Sequence, residues 1–314
     1  MSLRSLSALR PFLGIAIALV ASSLFAAAAQ HYVGRDWALL DAKTVMAAAA
    51  EITPATYPDS DDATVDQKSL RVYAADGTAE SQDETFTKVL TEAGKRSDNL
   101  LSLDFTLPYS TVEVARLEVI KPTGEVVPVD VTANAKESID DSQMQANIYD
   151  PNSRVLRVNI PQLEIGDIVH SVTRRTTERP IMPGEYADTS FFEGSGYIRH
   201  ISYEVRAPSA KPLRHIMLKG EVPGTVTAST HTDAGGTLVY HWEVNRVPRM
   251  YDEPAMPAYQ EVLQRLLIST TSDWPAVSSW YWKLNLPHLD AVTPEMKTAA
   301  RELTAPAATD RDKI

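Results

Sequence analysis

The chain has 314 residues, 44% of them hydrophobic and 23% charged, with no Cys and a formal net charge of −11. This is the composition of a globular protein with a real core, and the length suggests one large or two ordinary domains at roughly 100–200 residues each. The acidity and the lack of a basic stripe argue against nucleic-acid binding, and zero Cys removes disulfides, thiolate metal sites and any cysteine nucleophile.

Residues 1–29 read as an export signal. Arg4 and Arg10 precede an apolar stretch from Phe12 to Val20 and an Ala-rich end, with cleavage expected after Ala27-Ala28-Ala29. The competing reading is an uncleaved anchor, because Pro11 to Ala29 is close to the length of a membrane span. Loss of Arg4 and Arg10 takes the charge from −11 to −13. The expected location is periplasmic or secreted, with membrane contact only through an uncleaved signal.

Residues 30–65 read as an Ala-rich helix and an acidic linker. Trp37, Leu40, Val45 and Met46 fall at helical intervals over Arg35–Glu51, with Asp36 or Asp41 as cap. Pro54, Pro58 and Asp59-Ser60-Asp61-Asp62 form the linker.

Residues 66–190 read as a first β-rich half. Leu70 to Ala74 is a strand turned by Asp76-Gly77, and Val112 to Ile120 is another, turned by Pro122-Thr123-Gly124 into Val126–Val129. Arg154–Ile160 alternates and ends at Pro161, and Gly166-Asp167 launches Ile168–Thr173. Arg179–Gly196, with two Pro and three Gly, reads as a long irregular connection.

Residues 191–255 read as a second β-rich half. In Tyr197–Arg206, Tyr197, Ile201, Tyr203 and Val205 share one face, and Ile198, His200, Ser202, Glu204 and Arg206 share the other. Val222–His231 and Thr237–Val244 form a hairpin with Leu238, Tyr240, Trp242 and Val244 turned inward. Residues 256–314 read as a helical connector. Ser272-Asp273 caps a helix through Val277, Trp280, Tyr281 and Leu284, and Thr293-Pro294 caps another through Met296 and Leu303. Thr309 to Asp312 reads as a capping box for a third, so the chain is expected to continue past Ile314. The expected fold is mainly β: a two-part antiparallel β-sandwich region with a short N-terminal helix and a helical C-terminal segment.

Motifs for chemistry are sparse. Glu193-Gly194-Ser195-Gly196 misses the nucleophile-elbow pattern, and no phosphate-binding or dinucleotide loop occurs. Asp59–Leu70 fails as a calcium loop, with Thr64 where Gly is needed and Leu70 where Glu is needed. The seven His form no H-x-H or H-E-x-x-H, and His200 and His241 read as surface residues that two strands could bring together. Trp274, Trp280, Tyr281 and Trp282 form the one cluster suited to binding or to an interdomain seam.

Taken in order, these segments resemble a bacterial family of unknown function that sits immediately before a transglutaminase-like core in exported envelope proteins. The resemblance rests on Asp76-Gly77-Thr78, Ala115–Gly124, Tyr149-Asp150 with Arg154, Ile160-Pro161-Gln162-Leu163, and Gly166-Asp167-Ile168-Val169. Tyr240-His241-Trp242, Asn245, Glu253-Pro254, Pro257, Ser269 and Trp274 close it. Arg199-His200-Ile201 departs from the family pattern, and the Ala-rich stretch before Pro54 has no counterpart.

The resemblance implies a non-catalytic β region that scaffolds or regulates, in cis, a papain-like core with a Cys-His-Asp triad. The full-length protein would then be an acyltransferase or protease. This chain carries none of that core, so no catalytic, cofactor or metal residue is assigned. Asp150, Arg154, Pro161, Gly166, Asp167 and Trp242 are expected to be architectural. Asp167 should tie a turn, and Arg154 should pair with Asp150. Two alternatives remain: a self-contained periplasmic module binding envelope glycan or peptide, its partner an envelope protein or peptidoglycan, and a hydrolase built from His and carboxylates distant in sequence.

Overall fold

The computed structural model describes residues 37–312 apart from 143, 145, 146, 220, 221 and 223, and leaves out the side chains of Gln260 and Asp290. The export signal expected over 1–29 lies outside the described residues, as do Arg35 and Asp36. Residues 1–39 and 40–314 form separate units, and the fold below is that of the second.

Helix α1 (Ala42–Ala49) is shorter than the expected 35–51. Asp41 caps it by accepting from the Thr44 amide at 3.2 Å. Strands β1 (Asp62–Tyr73) and β2 (Ala79–Val89) follow, then α2 (Glu92–Ser97), β3 (Leu100–Thr106), β4 (Ser110–Ile120) and β5 (Val126–Pro128). After α3 (Val131–Asn134) come β6 (Ala135–Ile139), β7 (Ser153–Asn159), β8 (Ile168–Thr177), β9 (Ala187–Phe191) and β10 (Tyr197–Ala207). The last β elements are β11 (Arg214–Leu218), β12 (Val226–Thr232), β13 (Leu238–Val247) and β14 (Arg265–Ser269), with α4 (Tyr259–Val262) before β14. Helices α5 (Trp274–Asp290) and α6 (Pro294–Thr304) close the described chain.

The main sheet has eight strands in the order β12-β13-β10-β1-β2-β8-β4-β5. Two three-stranded sheets accompany it, β11-β14-β9 and β3-β7-β6. The expected class, mainly β with several antiparallel sheets and helices at the two ends, matches. The two β-rich halves are not separate sheets, however. β1 pairs with β10 in parallel, Thr64 beside Ile198 and Val72 beside Arg206, so the main sheet runs across the 190/191 boundary. A parallel neighbour needs a crossover connection, and alternation within a strand carries no information about its partner.

Two local expectations also change. The stretch Arg179–Gly196 is not wholly irregular, since β9 lies inside it and pairs with β14. The acidic run is only partly a linker: β1 begins at Asp62, and the Asp61 carbonyl accepts from the Leu90 and Thr91 amides at 2.9 and 3.1 Å.

Side chains alternate across the main sheet, and the register Tyr203–Ser69–Asp83–Thr173 fixes which ones share a face. On that face Tyr203, Val205, Tyr240 and Trp242 pack against Phe192, Leu213, Leu266 and Ile268 of the β11-β14-β9 layer. Farther along it, Leu117, Val119 and Val169 pack against Val158 and Ile160 of the β3-β7-β6 layer. Helix α1 covers the opposite face, burying Val45 and Ala49 with Phe86 and Ile168. Ile201, Tyr203 and Val205 of β10 and Tyr240, Trp242 and Val244 of β13 form the main core as predicted, but Tyr197, expected with them, packs in the α1 cluster, and Ile198, expected on the polar face, joins the main core instead.

The C-terminal helices differ. Asp273 caps α5 through the Ala276 amide at 2.8 Å, and Thr293 caps α6 through the Met296 amide at 3.3 Å, both as predicted. Yet neither helix buries a described side chain. Thr309 and Asp312 exchange the hydrogen bonds of a capping box, 3.1 Å from the Thr309 amide and 3.3 Å from the Asp312 amide. Residues 313 and 314 lie outside the described part.

Candidate functional site

The aromatic cluster divides in two. Trp274 is 83% exposed, and Tyr281 and Trp282 are also exposed on α5. Leu284, Leu286 and Leu289 continue the exposure along α5, and Met296 and Leu303 extend it onto α6. So many large apolar side chains left exposed on two consecutive helices are more than scattered surface residues. Trp280 behaves differently. It is half-buried and forms one wall of a groove of about 360 Å³.

The groove rests on Arg175 and Thr177 of β8, with Tyr109 on one side and Tyr186 on the other. Arg179, Ile181 and Met182 close it from the 179–187 connection. Arg175 donates to the Asp104 carbonyl at 2.5 Å, and burial holds its guanidinium below the usual arginine range. Glu185 also lines the groove, but its charge is engaged by Lys211 at 3.3 Å and by the Thr270 hydroxyl at 2.6 Å. Aromatic rings beside two guanidiniums in a concave site suit an extended or ring-shaped polar ligand.

The two strand histidines do meet. His200 Nδ1 lies 2.8 Å from Asp66 and Nε2 lies 2.5 Å from Glu243. The Asp66 hydrogen bond, foremost, and Glu243 raise the His200 pKa against the opposing effect of burial. His241 Nε2 sits 3.0 Å from both Glu243 and the Ser202 hydroxyl. A serine nucleophile needs its acid on the far imidazole nitrogen, whereas here Ser202 and Glu243 face the same one. Among the described residues, no group of three or more His, Asp or Glu is arranged to hold a metal ion. The arrangement cross-links β1, β10 and β13, and its geometry is not that of a serine triad.

A buried network escaped the sequence reading. His170 lies between Glu118 at 2.7 Å and Glu84 at 3.0 Å, stacked on Phe86 with ring centroids 3.9 Å apart. Glu84 also accepts the Leu40 amide at 2.7 Å, tying the approach to α1 onto the sheet. The only trace in sequence is a polar residue at alternate positions of β2 and β8, which solvent exposure explains equally well.

The architectural residues are placed as follows. Asp167 is buried and accepts from the Glu164 amide at 2.8 Å and from Lys121 at 2.6 Å, tying the turn as expected. Gly166 occupies the left-handed region, φ +93°, which favours glycine. Pro161 ends β7 in an exposed turn, and Trp242 is buried against Tyr203 and Tyr240. The expected Arg154–Asp150 pair gives way to another. Arg154 bonds Glu137 at 2.8 Å across β6 and β7, while Asp150 caps its own turn through the Asn152 amide at 2.9 Å. Extended backbone after Ser153 carries Arg154 away from Asp150 and toward the neighbouring strand.

The fold and these contacts define a mainly β protein whose polar clusters brace strands. A family model described as a Domain of Unknown Function with solved structure (DUF3857) matches residues 75–251. That is more than half of the chain, and the chain belongs to this family. A crystal structure described as a "putative protease" from Parabacteroides distasonis is similar, with a TM-score of 0.65 at 17% identity, over 81% of this chain and 48% of that one. The chain thus spans about half the length of that protein, and the likeness is one of fold. An M1 zinc metallopeptidase from Deinococcus radiodurans covers 67% of this chain and 42% of its own at 12% identity, but its TM-score of 0.32 carries no argument. No curated protein matches the sequence.

Proposed function

We propose that this chain is the non-catalytic N-terminal β region of an exported envelope protein, and that it scaffolds or regulates a following transglutaminase-like core. The observation that carries this reading is the apolar surface of α5 and α6, with Trp274, Trp282, Leu289 and Leu303 exposed where the fold gives them nothing to pack on. Family membership supports it, as does the similar crystal structure, which extends to about twice the matched length. The chain has no Cys, so a thiolate nucleophile would belong to the core. There the thiolate would attack an amide or ester carbonyl, with His as base. Arg4, Arg10 and the apolar run after them support export to the periplasm.

The test is the intact mass of the protein from its native cells. A mass above 34.5 kDa, with Cys-containing peptides downstream of Ile314, is the expected result. A mass below 34.5 kDa with no further peptide overturns it. A second reading, a binding module for envelope glycan or peptide, draws on the groove between Trp280, Tyr186 and Arg175. It requires Trp280→Ala to abolish retention on a peptidoglycan or peptide matrix.

A further inference from the structure

A second concavity, of about 340 Å³, opens on the main sheet beside the end of α1. Its lining is polar and aromatic: Tyr57, Tyr197, Arg199, Asn245 and Arg246, with Glu51 the only carboxylate. Tyr57 and Tyr197 stack with centroids 4.0 Å apart and form one wall. The flanking pairs Ile198–Val247 and His200–Asn245 set Arg199 directly opposite Arg246 on neighbouring strands.

Like charges facing each other across a strand pair oppose folding, so this placement asks for a compensating partner. Arg199 has part of one, donating to the Val65 carbonyl at 3.2 Å and lying 3.6 Å from Asp66. Arg246 has none: among the described residues, no hydrogen bond or ion pair engages its guanidinium. Its backbone also sits in the left-handed region at φ 55°, where a side chain carries strain. Burial and the Tyr57 hydrogen bond raise Tyr197 above the usual phenol range, and the charges of Arg246 and Arg199 both oppose that rise. Both guanidiniums therefore act on the same phenol within the pocket.

We infer that this pocket binds a small molecule through a carboxylate or phosphate group gripped between Arg199 and Arg246. A guanidinium offers a planar fork of donors matched to such oxygens, and two of them facing each other are satisfied together by one anion. Asn245 adds an amide, and the tyrosine pair supplies a wall for the rest of the ligand. The volume fits a small metabolite or a single charged headgroup rather than a polymer. This inference does not depend on the proposed downstream core.

The test is calorimetric titration with inorganic phosphate and, separately, acetate, against chloride at matched ionic strength. Saturable binding of one of the two is expected, at least ten-fold weaker in Arg246→Gln. Whichever probe binds identifies the anionic group. Arg246→Gly, which also relieves the left-handed backbone, is the second variant in case the first folds poorly. Without added anion, both variants should melt at a higher temperature than the parent at low salt, because the facing charges are gone. Absence of saturation by both probes, or undiminished binding in the variants, overturns the inference.

Discussion

Arg71 and Asp188 meet at 2.8 Å although 117 positions separate them in the chain. The contact joins β1 of the main sheet to β9 of the layer above it. Arg71 also reaches Asp83 at 2.9 Å, and the Tyr203 hydroxyl donates to Asp188 at 2.9 Å. Burial works against the Arg71 charge, but the two carboxylates hold it charged well above the usual range. Removing one partner of a buried ion pair leaves its mate uncompensated. Asp188→Ala should therefore cost about 2–3 kcal/mol, less than the roughly 3–5 for a fully buried pair, because Asp188 is partly exposed and Asp83 remains. Urea denaturation of parent and variant measures the difference, and a loss below about 1 kcal/mol contradicts this account.

Gly94 makes a different kind of contact. A Cβ placed there would lie 2.0 Å from the Asp61 carbonyl oxygen, and that oxygen already accepts from Leu90 and Thr91. Gly94→Ala must push α2 away from the start of β1. The expected cost is about 2–3 kcal/mol, that of overpacking a site that cannot yield. Gly124→Ala meets nothing within 4 Å, so its cost comes from its positive φ of +87° alone. Melting temperatures of the two variants separate close approach from backbone strain.

Asp98 makes stability depend on pH. Burial, foremost, and the charges of Asp62 and Asp61 raise its pKa from 3.8 to about 7. The folded protein thus holds this proton more tightly than the unfolded chain does. The stability it contributes is complete below the unfolded value of 3.8 and is lost as pH rises through about 7. Asp98→Asn should raise stability by about 1–3 kcal/mol at pH 8 and change little at pH 4. His200 has the same sign, raised by Asp66, so part of the decline should persist in Asp98→Asn. Urea midpoints across this range test both statements. Equal midpoints for parent and variant at pH 8 exclude the Asp98 effect.

The exposed helix face predicts an absence of effect. Trp282 is 57% exposed and packs on nothing that holds the sheets together. Trp282→Glu should change the stability of this chain by less than about 0.5 kcal/mol, as substitutions at unpartnered surface sites do. If the proposed function holds, it should weaken association with the following core, read as increased protease sensitivity between the two. A destabilisation above about 1 kcal/mol in this chain would show that α5 belongs to the β fold.

Local features of this fold were legible in sequence. The Pro122–Gly124 turn, the β13 stripe, the β10 stripe from Ile201 onward and the Asp273 and Thr293 caps each depend on a few neighbouring residues, and each is found where expected. Asp167 tied its turn for the same reason. What stayed hidden depends on partners. β9 turns the polar Asp188 and Ser190 to its half-buried side and leaves Ala187, Thr189 and Phe191 exposed, the reverse of the apolar-in alternation that marks a half-buried strand. The Arg154 pairing hinged on which strand lies alongside β7. The Asp66–His200–Glu243 and Glu84–His170–Glu118 clusters join three strands each, and nothing within one strand names the other two. Arg246 reads as an ordinary charged residue until its opposite number is known to be Arg199.

The parallel pairing of β1 and β10 has a bearing on how the chain comes to be folded. Asp66 and His200 are 134 positions apart, and β1 emerges during synthesis long before its neighbour exists. Until the ribosome has passed residue 207, β1 can zip onto β2 but keeps an open flank. Such distant pairing slows folding, because a long loop must close before its contacts are gained. An unfinished chain therefore presents a bare strand edge, and a helper that keeps nascent chains extended would be matched to that interval.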